Sequence, residues 1–274
     1  MPESKNESES KKILREKIAS LPPLPNLDDS WTKHRNSLRN DILTSDPRTF
    51  LSWECVQYTM FHQSRIAELE ELKRKSYWNN WQNSLLENSA GTPRKYRYLK
   101  TSSGNLIHHA YSLAKLKDYT NVDFSKLKTI VEFGGGYGSM ARLAHNLGFR
   151  GAYIIFDLPE FLALQEYFLG IIGIKNVIYT DTLEKLAEAL RPSDGNIDLL
   201  IATWSLSEAP LDLREKFSEK IASAKNFLIS YQNSFEDIDN ITYFKKFADE
   251  RKEILWKSDP IIHLPGNNYL IGKL

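Results

Sequence analysis

Residues 131–138 read VEFGGGYG, and their reading decides the fold. The run KTIVEF at 128–133 is apolar and β-favouring, it ends on three glycines, and the residues from Ser139 to Leu147 have helical spacing. A strand that stops on glycines and reopens as a helix brings the backbone round a sharp turn. Glycine allows that turn and leaves no Cβ between the chain and a ligand. The helix start beyond it offers free N–H groups and the positive end of its dipole. Gly134, Gly136 and Gly138 give the pattern G-x-G-x-G, with Gly135 between the first two, and Glu132 precedes them with only Phe133 intervening. In a dinucleotide-binding loop the third glycine would fall on Ser139 instead.

Working outward, the strand–helix unit recurs. GAYIIFD at 151–157 leads into a helix from Pro159 to Gly170, with proline at its first position. NVIYT at 176–180 precedes a helix from Thr182 to Leu190, IDLLIAT at 197–203 one from Leu211 to Ser223, and NFLISY at 226–231 one from Asp237 to Glu250. Two last strands, over 253–264 and 268–273, are joined at Pro265, Gly266 and Asn267, which leaves no room for a crossover. Alternation predicts a parallel sheet with helices on both faces. The ending predicts an antiparallel hairpin. The expected fold class is α/β: a Rossmann-like, seven-stranded, mostly parallel sheet with a C-terminal antiparallel hairpin and a helical N-terminal extension.

Upstream, residues 1–12 are polar and are expected to be a disordered tail. Residues 13–120 read as a helical region. Helices are expected at Ile13–Leu21, stopped by Pro22 and Pro23, at Asp28–Leu43, along Pro47–Glu71 and at Ser103–Leu116, with a loop at Gly91, Thr92 and Pro93. Residues 121–274 form the expected cofactor-binding domain. Trp53, Tyr58, Phe61, Tyr77, Trp78 and Trp81 lie in the helical region. Aromatic faces can stack on sugar rings, but at helical spacing they are more often core or dimer contacts, so a homodimer through this region is among the expected partner modes.

The 274 residues are 41% hydrophobic and 26% charged, a globular balance. The formal net charge of +1 gives no general attraction to nucleic acid, so nucleic acid is not the expected partner, although a local basic patch stays open. Lys73, Arg74 and Lys75, and Arg94, Lys95, Tyr96 and Arg97, are two such clusters lying among aromatics. The lone Cys55 forms no internal disulfide and no Cys cluster suits zinc, so no metal site is assigned and a reducing cytoplasm is the expected location. The most apolar stretch, 151–174, is interrupted by Asp157, Pro159, Glu160, Gln165 and Glu166, and no membrane span is expected.

In open α/β sheets the ligand sits beyond the carboxyl ends of the strands. Asp157 ends the second strand, 23 residues after Gly134, where a carboxylate can accept from both ribose hydroxyls. Asp181 and Thr182 follow the third strand, with a helix N-cap as the plainer explanation of Asp181. The fourth strand runs into TWSLSEAP at 203–210, so Thr203, Trp204, Ser205, Ser207 and Glu208 are expected near the reacting group. Glu208 is the ionisable side chain there and the first candidate for a base, unless it simply opens the next helix. His108 and His109 are adjacent in TSSGNLIHHAY at 101–111; one can serve as a base or substrate contact, or both can be structural.

The acidic residue followed by G-x-G-x-G resembles the first motif of class I S-adenosylmethionine-dependent methyltransferases. The resemblance implies that Glu132 orients the methionine end of S-adenosylmethionine and that Gly134, Gly136 and Gly138 line the methionine and ribose. It further implies that Asp157 and Leu158 (in FDLP), with Asp181, Thr182 and Thr203, complete the cofactor site. TSSGNLIHHAY, VEFGGGYGSMARL, FDLPEFLALQEYFLG, WSLSEAP and SYQN together resemble a bacterial family of sugar O-methyltransferases, from about Lys100 onward. By that resemblance Ser103, Asn105, His108 and His109 line the cofactor or acceptor pocket, Ser205, Ser207 and Glu208 lie near the methyl group, and Tyr231, Gln232 and Asn233 bind the acceptor. The expected partner is a small-molecule or glycan acceptor. The rival readings are an NAD-dependent oxidoreductase, which gives Glu132 and the terminal hairpin no role, a methyltransferase of another small molecule or of nucleic acid, and a binding module without chemistry. An Asn-Pro-Pro-Tyr-like motif of amino-group methylases is absent after the fourth strand, which favours an oxygen acceptor.

Overall fold

The computed structural model describes residues 5–25, 29–61 and 65–274. By packing, the chain divides into two units: Met1–Tyr111 with Gly135–Asn146 and Leu158–Lys175, and Ser112–Gly134 with Leu147–Asp157 and Asn176–Leu274. This differs from the expected boundary near residue 120, because two of the helices that follow sheet strands pack with the N-terminal helices.

In the first unit, helix α1 (Lys5–Ser20) begins eight residues before the expected start at Ile13, so the expected disordered tail is corrected from Lys5 onward. Leu14 and Ile18 are buried and anchor it. Glutamate and lysine then extend it N-terminally at little conformational cost, with Glu7 in its first turn. Helix α2 (Ser30–Thr44) is capped by Asp29, whose side chain accepts from the Thr32 amide. Arg15 donates to the carbonyls of Ile42 and Ser45 at its other end. The expected continuous helix over 47–71 is broken into a 3₁₀ turn at Pro47–Ser52, α3 (Glu54–Met60) and α4 (Ile66–Lys73). A short α5 (Trp78–Trp81) follows. Trp53 and Trp81 are buried in this unit, whereas Tyr58 is 77% exposed.

A hairpin of β1 (Lys95–Tyr96) and β2 (Leu99–Ser103), not anticipated from the sequence, leads into α6 (Gly104–Thr120). Helices α7 (Ser139–Asn146) and α8 (Pro159–Ile171) complete the unit. Glu160, fully buried in the first turn of α8, accepts from Arg35 and Arg39 of α2. A carboxylate taken out of water needs such partners.

The second unit is built on one sheet. Its strands are β3 (Thr129–Phe133), β4 (Ala152–Phe156), β5 (Val177–Thr180), β6 (Leu199–Thr203), β7 (Asn226–Gln232), β10 (Leu255–Pro260) and β11 (Asn267–Lys273), in the order β10-β11-β7-β6-β3-β4-β5. Neighbours from β7 to β5 are parallel, and β11 lies antiparallel to both β7 and β10. The expected seven-stranded, mostly parallel sheet with a terminal antiparallel pair is therefore present. Every residue of β3 is buried, as befits a strand covered on both faces. On one face Val131, Phe133, Leu200, Phe227 and Ile229 pack beneath α9 (Leu183–Leu190), α10 (Leu211–Lys220) and α11 (Asn240–Asp249). The helix expected from Asp237 starts at Asn240, capped by Asp239, and two-residue strands β8 (Ser234–Phe235) and β9 (Ile238–Asp239) precede it. No helix among the described residues is long and apolar enough to cross a membrane.

Candidate functional site

In the second unit the parallel register places Phe133 beside Phe156 and Phe156 beside Thr180, so β3, β4 and β5 end on one row. Glu132 is one residue short of that row and is only 2% exposed. Its Oε2 accepts from the Tyr153 hydroxyl at 2.9 Å. Burial, helped by the charge of Asp157 and opposed by the tyrosine bond, pushes the Glu132 carboxyl up to about 8. Asp157 follows β4, half-buried, with its amide donating to the Thr180 carbonyl. Two acidic groups thus stand at adjacent strand ends, and burial favours the protonated form of one of them.

Gly134 has φ +74°, and a Cβ there would lie 2.2 Å from Cβ of Ser205 and 2.5 Å from its Oγ. Ser205 donates to the Phe133 carbonyl, which holds it in that place. The first glycine of the motif therefore admits a protein side chain, and Ser205, expected near the reacting group, has its hydroxyl engaged on the backbone of β3. Past β5, Asp181 pairs with Lys185 at 2.6 Å, while Thr182 caps α9 by accepting from the Lys185 amide. The capping explanation of Asp181 falls away because Thr182 does the capping.

Beyond β6, Thr203 is half-buried and Trp204 takes φ +64°, a strained conformation for a bulky side chain. Its indole Nε1 donates to Asn267 Oδ1 at 2.7 Å and its amide to the Ser230 carbonyl at 2.7 Å, two bonds that hold it there. Glu208 closes the 3₁₀ turn Ser205–Glu208, and α10 begins only at Leu211, so Glu208 is not the opening carboxylate of that helix. It is half-buried, and burial pushes it up to about 7 against the opposing effects of the Gln232 amide and the Arg214 charge. The Gln232 amide donates to its Oε1 at 3.3 Å. Ser207, fully buried, places its Oγ 2.7 Å from the Gln232 carbonyl oxygen, which fixes which end of that amide faces Glu208. Arg214, also fully buried, donates to the carbonyls of Ser207 and Ala209 on either side of Glu208, and to Asn240 Oδ1. Ser207 is thus an internal strut, not a surface donor.

Tyr231 does not meet its expected role in acceptor binding. It is 5% exposed, its ring centroid is 4.4 Å from that of Phe244, and its hydroxyl bonds Ser258. Strand alternation turns it into the core and turns Gln232 toward Glu208. Asn233 is exposed and accepts from the Asn268 side chain at 2.8 Å.

In the first unit, Gly136 has φ +56° with no neighbour nearer its Cβ direction than Met60 at 3.7 Å, so conformation alone calls for glycine there. Gly138 faces Leu169 at 3.0 Å. Between these two, Tyr137 is 2% exposed, stacks on Phe61 at 5.8 Å and meets Phe50 and Phe168 edge-on. Asn105 donates to its hydroxyl at 3.3 Å, and Gln165 donates to the Gly136 carbonyl at 2.9 Å. The loop that begins at Gly135 is thus anchored by a side chain read in the sequence only as a spacer. Leu158 is the N-cap position of α8, without a side-chain cap. Ser103 accepts from the Leu106 amide and donates to Glu87, opening α6. His108 is 1% exposed, and its Nδ1 lies 2.6 Å from Glu68 Oε1. His109 is half-buried. Glu68, Arg214 and the anchoring role of Tyr137 escaped the sequence reading, since no local pattern marks a carboxylate forty residues from its histidine.

The chain matches no model of a known protein family and no curated protein sequence. Among solved structures it is similar to a precorrin-6y C5,15-methyltransferase from Geobacter metallireducens, at 15% identity over 66% of this chain and 93% of the other, with a TM-score of 0.42. A ribosomal protein L11 methylase from Lactobacillus delbrueckii is similar at 16% identity over 61% of this chain and 78% of the other, with a TM-score of 0.43. A SAM-dependent methyltransferase from Aquifex aeolicus is similar at 14% identity over 59% of this chain and 88% of the other, with a TM-score of 0.42.

Proposed function

We propose that this protein is an S-adenosylmethionine-dependent O-methyltransferase acting on a hydroxyl of a sugar unit. One observation carries the reading: acidic side chains follow one another at the ends of three adjacent parallel strands, in a sheet whose last strand is inserted antiparallel. A dinucleotide-binding sheet has the parallel order 3-2-1-4-5-6 and gives such an inserted strand no part, which weighs against the NAD-dependent oxidoreductase.

The residues suit a cationic nucleoside. Glu132 is held neutral by burial beside Asp157, and a ligand bearing an ammonium and a sulfonium favours the ionised form of both. Glu132 would take the amino-acid end, Asp157 the ribose hydroxyls, and Asp181 or Thr182 with Thr203 the adenine side. Gly134, Gly135, Gly136 and Gly138 belong by sequence to the glycine motif, and Leu158 to the FDLP segment beside Asp157. When bound, the cofactor supplies an activated methyl group on sulfur. The chain's own task is to align the acceptor and accept its proton.

Glu208 fits the proton-accepting role, since a carboxyl near 7 is half ionised at working pH. Trp204, with the amides of Gln232, Asn233 and Asn267, supplies an aromatic face and neutral donors and acceptors of the kind that sugar hydroxyls use. A second candidate for the base is His108, whose buried Nδ1 is held 2.6 Å from Glu68 Oε1. Calorimetry with S-adenosylhomocysteine, alongside NADH and the Asp157→Ala variant, tests the cofactor: binding lost in the variant is expected, and preference for NADH overturns the reading. Methyl transfer to nucleotide sugars and glycans by Glu208→Gln and His108→Gln variants then separates the two bases.

A further inference from the structure

The hairpin β1–β2 of the first unit carries a cluster of charge that the proposed chemistry does not use. Arg94, Lys95, Arg97 and Lys100 are all exposed. None of the four makes an ion pair among the described residues. The other basic cluster behaves differently: Lys73 pairs with Glu70 and Lys75 with Glu71, as on an ordinary solvated helix face. No acidic residue occurs between Glu87 and Asp118, and Glu87 itself is buried against Arg142. In a chain of net charge +1, this hairpin is a concentrated positive field.

Two tyrosines alternate with the cations. Tyr98 is 47% exposed, its ring meets that of Tyr96 at 5.5 Å in a T-shaped contact, and the Arg97 guanidinium lies 4.7 Å over it. Arg94 directly precedes β1, Lys95 lies in it, Arg97 is in the turn and Lys100 is in β2, so the cations are spread along the length of the hairpin chain. A row of cations suits a polymer with charges at intervals, and the exposed Tyr98 ring among them, with the half-buried Tyr96 beside it, suits flat bases. We propose that the β1–β2 hairpin is a binding surface for single-stranded RNA, with Arg94, Lys95, Arg97 and Lys100 on phosphates and Tyr98 and Tyr96 stacking on bases. Nothing in this surface depends on methyl transfer.

The test uses the full-length protein and a fluorescein-labelled fifteen-nucleotide oligouridylate, followed by anisotropy. Four phosphate contacts on a single strand give a slope of log affinity against log salt of about −3, or roughly fifty-fold weaker binding from 50 to 200 mM salt. Each cation changed to glutamine lowers that slope by about 0.7, and the fourfold variant, altered only at exposed positions, falls to background. Tyr98→Ala weakens binding about fivefold or more. Absence of binding at 50 mM salt, or binding unchanged in the fourfold variant, overturns the proposal. Competition by hyaluronan fragments equal to that by RNA per charge, with Tyr98→Ala binding like the parent, also overturns it, since the surface would then read charge alone. Loss of S-adenosylhomocysteine binding in Asp157→Ala leaves all of these outcomes untouched.

Discussion

Replacing Glu132 by glutamine isolates the energetic consequence of a neutral acid at a strand end. Burial beside Asp157 raises this carboxyl from 4.5 to about 8. Because the native value lies above the unfolded one, the native state keeps a proton that the unfolded chain sheds as pH passes 4.5. Stability contributed by this group is therefore complete below pH 4.5 and is lost as pH rises toward 8. At about 1.4 kcal/mol per pH unit the full window is worth about 5 kcal/mol, most of it within the span from pH 5 to 8. Glutamine has the shape of the protonated acid and still accepts from Tyr153, but it cannot titrate. Urea unfolding of the parent and of Glu132→Gln, followed by tryptophan fluorescence without ligand, gives the stability difference at each pH. Other titrating groups, including Glu208, are common to both proteins and cancel. The variant should gain on the parent by a few kcal/mol, on the order of 3–4 kcal/mol, between pH 5 and 8. Asp157→Asn, which removes the neighbouring charge, should flatten the parent's curve in the same direction. A difference between parent and Glu132→Gln that stays constant from pH 5 to 8 refutes the reasoning.

Other consequences are equally open to measurement. Under the proposed function, S-adenosylhomocysteine brings its ammonium to Glu132 and ionises it, so calorimetry at pH 7 in buffers of differing ionisation enthalpy should record release of up to about one proton, absent in Glu132→Gln. Gly134→Ala should cost about 2–5 kcal/mol in urea unfolding, part from its positive φ and part from the overlap with Ser205; adding Ser205→Gly should recover the second part only, and Gly136→Ala should show the φ cost alone. Gln232→Leu removes the bond that favours ionised Glu208, so ¹³C NMR of the Glu208 carboxyl should show it titrating above 7, and an unchanged midpoint would mean that Gln232 does not hold it. Arg214→Met leaves the carbonyls of Ser207 and Ala209 without their buried donor and should lower stability by about 3 kcal/mol, read from the urea midpoint.

What the sequence disclosed depends on the distance over which each signal acts. The sheet was legible because strand, turn and helix signals lie within a few residues of one another, as in NVIYT followed by the Thr182 cap. The terminal antiparallel pair followed from loop length, since the three residues Pro265, Gly266 and Asn267 cannot hold a crossover helix. Carboxylates at strand ends were legible for the same local reason. Burial was not. Tyr231 and Gln232 are neighbours in SYQN, and the alternation of a strand sends one into the core and the other toward Glu208. Ser205 and Ser207 both read as polar groups near chemistry, yet one braces the turn after Phe133 and the other orients an amide.

The motif glycines carry the point furthest. One pattern, G-x-G-x-G, presents Gly134 against Ser205 at 2.2 Å and Gly136 with nothing nearer than 3.7 Å. At the first position an alanine meets both a wrong backbone angle and a filled space; at the second it meets the angle alone. A ligand that needs close approach to backbone gains nothing from the room at Gly134, because a serine already occupies it. Around Gly136 the Cβ direction meets only Met60, at 3.7 Å, and Tyr137, seated among Phe50, Phe61 and Phe168, is what holds that stretch of chain in place. The residue between the glycines therefore matters as much to the loop as the glycines do, through packing that no spacing rule contains.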